Sequence, residues 1–166
     1  MKNVSIVAAL ILACAPTLAS AEMIVIPANR PASMLTLPDY WEPAKSEAGI
    51  LAASPDNAAA IYLEVVAYQK EINSVIEESI KLTEDHDVRI DNATRETQDF
   101  ENGGRRWNRV SWSGASRDWG PAMIGFLSTD VGDGKVLTIT YWVSRKDSER
   151  SLKTLNKIVS SVRTLP

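Results

Sequence analysis

One cysteine and one histidine are all that this 166-residue sequence holds of the two side chains most used to bind metals or attack substrates. Cys14 falls in an N-terminal segment that reads as removed on export. The mature chain then has no disulfide, no thiol nucleophile and no Cys-ligated metal. His86 stands among Glu84, Asp85 and Asp87 without the second histidine that the usual zinc sites need. A Ser-His-Asp triad would have to draw on that same His86. No G-x-S-x-G elbow occurs either, since Ser111-Trp112-Ser113-Gly114 lacks the leading glycine. Gly103-Gly104 has no helix after it and so forms no phosphate loop. Positive charge is also in deficit: 18 Lys and Arg face 21 Asp and Glu, a net charge of −3. Loss of Lys2 with the leader deepens that deficit. The balance argues against nucleic acid as a partner and against adsorption to anionic lipid.

After residue 21 no segment is apolar enough to span a bilayer. The one long apolar run is N-terminal. Lys2 makes a short positive region, Val4–Cys14 is apolar, Pro16 breaks the helix, and Ala19-Ser20-Ala21 has the small-x-small pattern of a signal peptidase site. Residues 1–21 therefore read as a cleaved Sec signal peptide, with the mature chain starting at Glu22 after Ala21. Residues 22–166 form one domain with a core over about 33–163. The short leader looks bacterial, which gives a periplasmic or secreted location. A rival reading takes Leu10-Ile11-Leu12-Ala13-Cys14 as a lipoprotein box that would put a lipid anchor on Cys14. Leu12 fits that box poorly.

The mature chain opens with Met23-Ile24-Val25-Ile26, an edge strand or lead-in closed by Pro27. Alternation then predicts a strand over Met34–Leu37, a turn at Pro38-Asp39-Tyr40-Trp41, a strand at Gly49–Ala53, and a tight turn at Ser54-Pro55-Asp56-Asn57. Ala59–Val66 follows as a strand with one wholly apolar face. Together these predict an antiparallel meander from Leu35 to Val65. Tyr68–Thr83 has helical spacing, with Tyr68, Ile72, Val75, Ile76 and Ile80 as its stripe. The polar stretch Val88–Glu101 predicts an exposed or edge strand turning at Asn102-Gly103-Gly104. A strand over Arg105–Ser113, a loop over Gly114–Pro121, a strand over Ala122–Ser128 and a glycine turn at Asp130–Gly134 come next. Val136–Val143 is uncharged on both faces and so predicts an inner strand covered on both sides. Leu152, Leu155, Ile158, Val159 and Val162 then share one face of a helix within Asp147–Arg163. The order β-β-β-α-β-β-β-β-α on short connections predicts an α+β fold: an antiparallel sheet of about six or seven strands with two main helices packed on it.

Five tryptophans are many for this length, and Trp and Arg favour interfaces. Trp107 and Trp119 lie near Arg105, Arg106, Arg109 and Arg117, which predicts a partner-binding surface on those six residues. The bland alternative makes the tryptophans core filling, with the arginines stacked over them or paired with Glu96, Asp99 and Glu101. His86 and its acidic neighbours are a solvated helix end or, less economically, a metal site. Asp130 with Asp133, and Asp39 with Glu42, read as turn formers, not as an acid–base pair. Asn92-Ala93-Thr94 has the spacing of a glycosylation sequon, which a bacterial export route leaves unused.

The element order resembles the PsbP-like superfamily. The resemblance lies in Leu35-Thr36-Leu37-Pro38 with Tyr40-Trp41, the Ile50…Ser54-Pro55-Asp56 hairpin, the mid-chain helix, the late hairpin, and Leu155-Asn156-Lys157-Ile158-Val159-Ser160-Ser161-Val162-Arg163. That superfamily includes the photosystem II extrinsic protein PsbP, a Ran-binding import factor and bacterial DcrB-like envelope proteins. It implies an α/β/α sandwich and a non-enzymatic module that binds another protein. No functional residue transfers by position, and shared fold does not give shared function. The expectation is therefore an exported binding, chaperone or assembly module without a cofactor. The alternatives are a metal-assisted hydrolase around His86 and an immunity or structural envelope protein.

Overall fold

The computed structural model describes residues 21–27, 30–45, 49–67 and 72–166. The strand that the sequence marks as innermost, β9 (Lys135–Ser144), lies at the middle of a seven-stranded sheet and is buried from Val136 onward. The other strands of that sheet are β3 (Glu42–Lys45), β4 (Ile50–Ala53), β5 (Ala59–Ala67), β6 (Val88–Asn102), β7 (Arg105–Ser116) and β8 (Gly120–Gly132). They run in the order β3-β4-β5-β9-β8-β7-β6, and every pair is antiparallel. Two helices, α1 (Ile72–Asp85) and α2 (Ser148–Ser161), complete the α+β class that the sequence predicts.

The alternation of β9 assigns the two cores. Leu137, Ile139, Tyr141 and Val143 face Leu155, Ile158 and Val159 of α2, together with Leu35, Leu37 and Trp107. Trp142 turns to the other side, where Val75 and Ile76 of α1 meet Ala60, Val110, Trp112, Ile124 and Phe126. Between α1 and the sheet runs one buried polar chain. The Thr140 hydroxyl donates to Ser79 Oγ at 2.9 Å, and Ser79 donates to the Val75 carbonyl at 2.8 Å. α1 ends at Asp85, and Asp87, at φ 58°, turns the chain back into β6.

Four expectations change. The strand at Leu35–Leu37 is real, as β2 (Ser33–Pro38), but it does not join the meander. It pairs with β1 (Ala21–Ile26) and with the short β10 (Arg163–Thr164) in a separate three-stranded sheet beside α2. Alternation marks Leu35 and Leu37 as inward without saying which sheet they close. The chain leaves that sheet through the turn in which Trp41 N–H donates to the Pro38 carbonyl at 3.0 Å. Strand β3, hidden by its polar sequence, then forms the rim of the meander. The Gly114–Pro121 loop is shorter than predicted, because β7 and β8 pair up to Ser116 and Gly120, leaving Arg117-Asp118-Trp119 as the turn. Ile72 of the predicted stripe is exposed at the start of α1. Tyr68, the first residue of the predicted helix, and the leader up to Ser20 lie outside the described residues.

The β6–β7 hairpin reaches across to α2. Gly103 has φ +62°, and a Cβ there would come within 2.7 Å of the Ser160 carbonyl oxygen, so the tip accepts no side chain. Asn102 Nδ2 donates to the Asn156 carbonyl at 3.3 Å.

Candidate functional site

The six residues predicted as a surface lie on and beside β7, and the pleat disperses them. Trp107 points to the α2 core and is fully buried, its Nε1 donating to the Asn102 carbonyl at 3.3 Å, so it offers nothing to a partner. Trp119 is half-buried and packs against the α1-side core. Arg105 is a brace: it donates to the carbonyls of Val162 at 3.5 Å and Asp130 at 3.3 Å, and to the Thr164 hydroxyl. Arg106 is exposed and pairs with Asp99 across the hairpin at 3.0 Å. The Asn108 amide and then Arg106 hold the Asp99 carboxyl below its ordinary range. Arg117 sits at the far end, 4.0 Å from Asp87. The core-filling alternative accounts for Trp41, Trp107, Trp112 and Trp142, all buried.

His86 has its Nδ1 at 2.8 Å from the Leu82 carbonyl, and its ring lies 5.3 Å from that of Trp142. Among the described residues, no three His, Cys, Asp or Glu side chains gather as a set able to hold a metal ion.

Two of the six open onto clefts: Arg117 onto one of about 920 Å³ beside Glu84, Asp87 and Arg89, and Arg109 onto one of about 550 Å³ on the α2 side of β6–β9. The second is the more elaborately built. Its rim is a break in β6. Pairing with β7 runs from Val88↔Ser116 to Asp91↔Ser113 and resumes at Glu96↔Ser111, so that residues 92–95 stand opposite Trp112 alone. Local bonds fix the excursion: Ala93 N–H donates to Asp91 Oδ1 at 3.1 Å, the Thr94 hydroxyl to the Asp91 carbonyl at 2.7 Å, and Ser113 N–H to Thr94 Oγ1 at 2.8 Å. The excursion carries Arg95 to the cleft.

The floor is Tyr141. It faces Gly125 across β8–β9, and Gly125 in turn faces Ser111 on β7. The Tyr141 ring lies flat over the glycine and is only 1% exposed. Burial pushes its hydroxyl above the ordinary tyrosine value, with the nearby Arg109 charge opposing, so it stays neutral and able to donate. Arg109 donates through Nη2 to Gln98 Oε1, while its Nε is shut from solvent without a partner. Arg145, just past β9, donates to Ser113 Oγ at 2.6 Å. Glu96 is the one carboxylate on the lining, and Met123 and Leu152 give an apolar wall. Sequence reasoning missed Arg95, Arg145 and Tyr141. A polar interruption at Asp91–Arg95 inside an alternating strand is the one local sign of such a bulge.

A scan against protein-family models and a search of curated proteins each give no match. Solved structures do match. Cyanobacterial PsbP from Synechocystis sp. PCC 6803 superposes with a TM-score of 0.58 at 12% identity, covering 92% of this chain and 97% of that one. LpqN of Mycobacterium tuberculosis, described as involved in cell envelope biogenesis, gives 0.52 at 14% identity, covering 88% and 92%. The fold is PsbP-like, as the element order in the sequence implies.

Proposed function

We propose that this chain is an exported module of the bacterial envelope that works by binding a partner and not by bond-making catalysis, with the cleft over Tyr141 as its recognition surface. One observation carries the reading. The described lining offers guanidinium, hydroxyl and amide donors around an apolar wall, with a single carboxylate and no histidine or cysteine to pass a proton or attack a substrate. The fold shared with LpqN, whose role lies in envelope biogenesis, supports the location. So does the leader. Ala21, Glu22 and Met23 are exposed, so cleavage after Ala21 leaves the buried Ile24 and Ile26 in the mature chain.

The test uses the full chain expressed in a bacterial host with a photo-crosslinking residue at Thr94 or Leu152, and at Asn73 on α1 as control. The expected result is a periplasmic protein whose intact mass begins at Glu22, with a discrete adduct from positions 94 and 152 but not from 73. An uncleaved cytoplasmic chain, or adducts no more frequent at the cleft than at Asn73, would overturn the reading. The same mass measurement separates cleavage at Ala21 from lipidation at Cys14.

A further inference from the structure

The cleft is electropositive in an acidic chain. Arg95, Arg109 and Arg145 line it against Glu96 alone, whereas the whole sequence carries a net charge of −3. Of the other arginines, Arg106 faces Asp99, Arg117 faces Asp87, and Arg150 faces Asp56 and Asp147, whereas Arg105 and Arg163 are spent on backbone carbonyls around the end of α2. The three cleft arginines have no such carboxylate among the described residues. Arg109 and Arg145 are held instead by neutral oxygens, those of Gln98 and Ser113. Those bonds position the guanidinium groups and leave their charge uncompensated.

Two residues of the lining carry a buried donor without an acceptor, Arg109 at Nε and Trp112 at Nε1, the latter with its indole in the α1-side core. The Arg109 Nε–H has no acceptor, although burying an unpaired N–H costs about 1–3 kcal/mol. The Tyr141 ring is buried in the floor, and Gly125 clears the space in which its hydroxyl lies. A turn of the Arg109 guanidinium away from Gln98 presents Nε and Nη together, the fork that matches a carboxylate or phosphate. The space suits a small organic molecule, since ligand cavities run to about 300–1,000 Å³. It is larger than a bare inorganic anion needs, and Met123 and Leu152 supply an apolar wall for the remainder.

From this geometry we infer that the cleft binds a small organic oxyanion, a carboxylate or a phosphate monoester. Arg109 and Arg145 grip the anionic head, the Tyr141 hydroxyl donates to it, and the apolar part lies against Met123 and Leu152. This rests on the reading of the cleft as the recognition surface and names what it recognises.

The experiment is an NMR titration of the chain beginning at Glu22 with phenyl phosphate, with benzoate, and with benzyl alcohol as the neutral control, at low and at high salt. The expected result is saturable shifts of the amides of residues 93–96, 111–113 and 145 with at least one anion, weakened by salt, and none that saturate with benzyl alcohol. Comparison of the two anions assigns the head group. Arg145→Gln and Arg109→Gln should each weaken binding about tenfold, the loss of one charge-assisted bond. Tyr141→Phe, which keeps the ring over Gly125, should weaken it less. Arg145 is exposed, so its variant tests binding even where Arg109→Gln perturbs folding. The inference falls if neither anion binds, if benzyl alcohol binds as well as benzoate, or if Arg145→Gln binds like the parent. Loss of anion binding with crosslinking retained at position 94 would sink the ligand class and leave the recognition surface standing. Anion binding without crosslinking would do the opposite.

Discussion

The ring of Tyr141 lies so close over its cross-strand partner Gly125 that a Cβ at position 125 would fall 2.1 Å from Tyr141 Cζ. The tyrosine is thus one of the largest fully buried side chains because its neighbour has none. Gly125→Ala should destabilise the fold by about 1–3 kcal/mol, the usual cost of overpacking. In a Tyr141→Ala background the same methyl group should cost little, because the ring it strikes is gone. Urea denaturation of the double-mutant cycle reads this coupling, and strict additivity would contradict it.

The hydroxyls of Thr140 and Ser79 hold α1 to the sheet, and they are unequal. Ser79 both accepts from Thr140 and donates to Val75, so Ser79→Ala strands the Thr140 hydroxyl in the core. That substitution should cost about 1–3 kcal/mol. Thr140→Val takes away only a donor and should cost about 0.5–1.5 kcal/mol. The ordering of the two urea midpoints tests the direction of the bond.

Helix α2 closes the α2-side core through Leu155, Ile158, Val159 and, just beyond it, Val162, all buried. At about 1.5–3 kcal/mol for each side chain, their burial contributes roughly 6–12 kcal/mol gross. A net stability of about 5–15 kcal/mol does not survive that loss. A chain truncated before Leu152 should show no cooperative melting transition by circular dichroism, and a sharp transition would refute this.

Acid should weaken the fold through Asp56. Its carboxylate accepts from the Ser54 hydroxyl at 2.7 Å, from Ala58 N–H at 3.2 Å, and from Arg150. These bonds, that of Ser54 foremost, hold its pKa below the ordinary value of 3.8. A group depressed in the folded state stabilises fully above its unfolded pKa, about 3.9, and loses that contribution as pH falls through the folded value. Stability should therefore hold from neutral pH down to about pH 5 and decline below about pH 4. Asp56→Asn should lower the plateau slightly and shallow the decline. The side chain is largely solvated, so the effect is modest. An acid limb of unchanged steepness in the variant would count against this assignment.

Much of this fold is legible in the chain. Val136–Val143 carries no charge on either face, and such a strand has nowhere to lie but between two layers. The five-residue stripe from Leu152 to Val162 supplies one of them. Pairing across distance is less legible: Leu35 and Leu37 announce an inward face, but only the folded chain shows that β1 and β10 flank them. Trp107 misleads for a local reason. Arg105 and Arg109 share its face, and two charged neighbours look like solvent, whereas both guanidinium groups reach back to backbone or amide oxygens while the indole between them is covered. The cleft is the least legible part. Tyr141 and Arg145 are near neighbours at the end of β9, but Arg95 is far from them along the chain, and the β6 excursion brings it to the same place.

That excursion has a consequence at the outer rim of the sheet. A continuous fifteen-residue border strand would present an unbroken ladder of free amides and carbonyls, a template on which a second molecule could zip itself and start a fibre. Residues 92–95 break the regular pairing, so that stretches of four and seven residues replace one straight border. The same irregularity that shapes a pocket on the inner side makes the outer border a poorer template for a second copy.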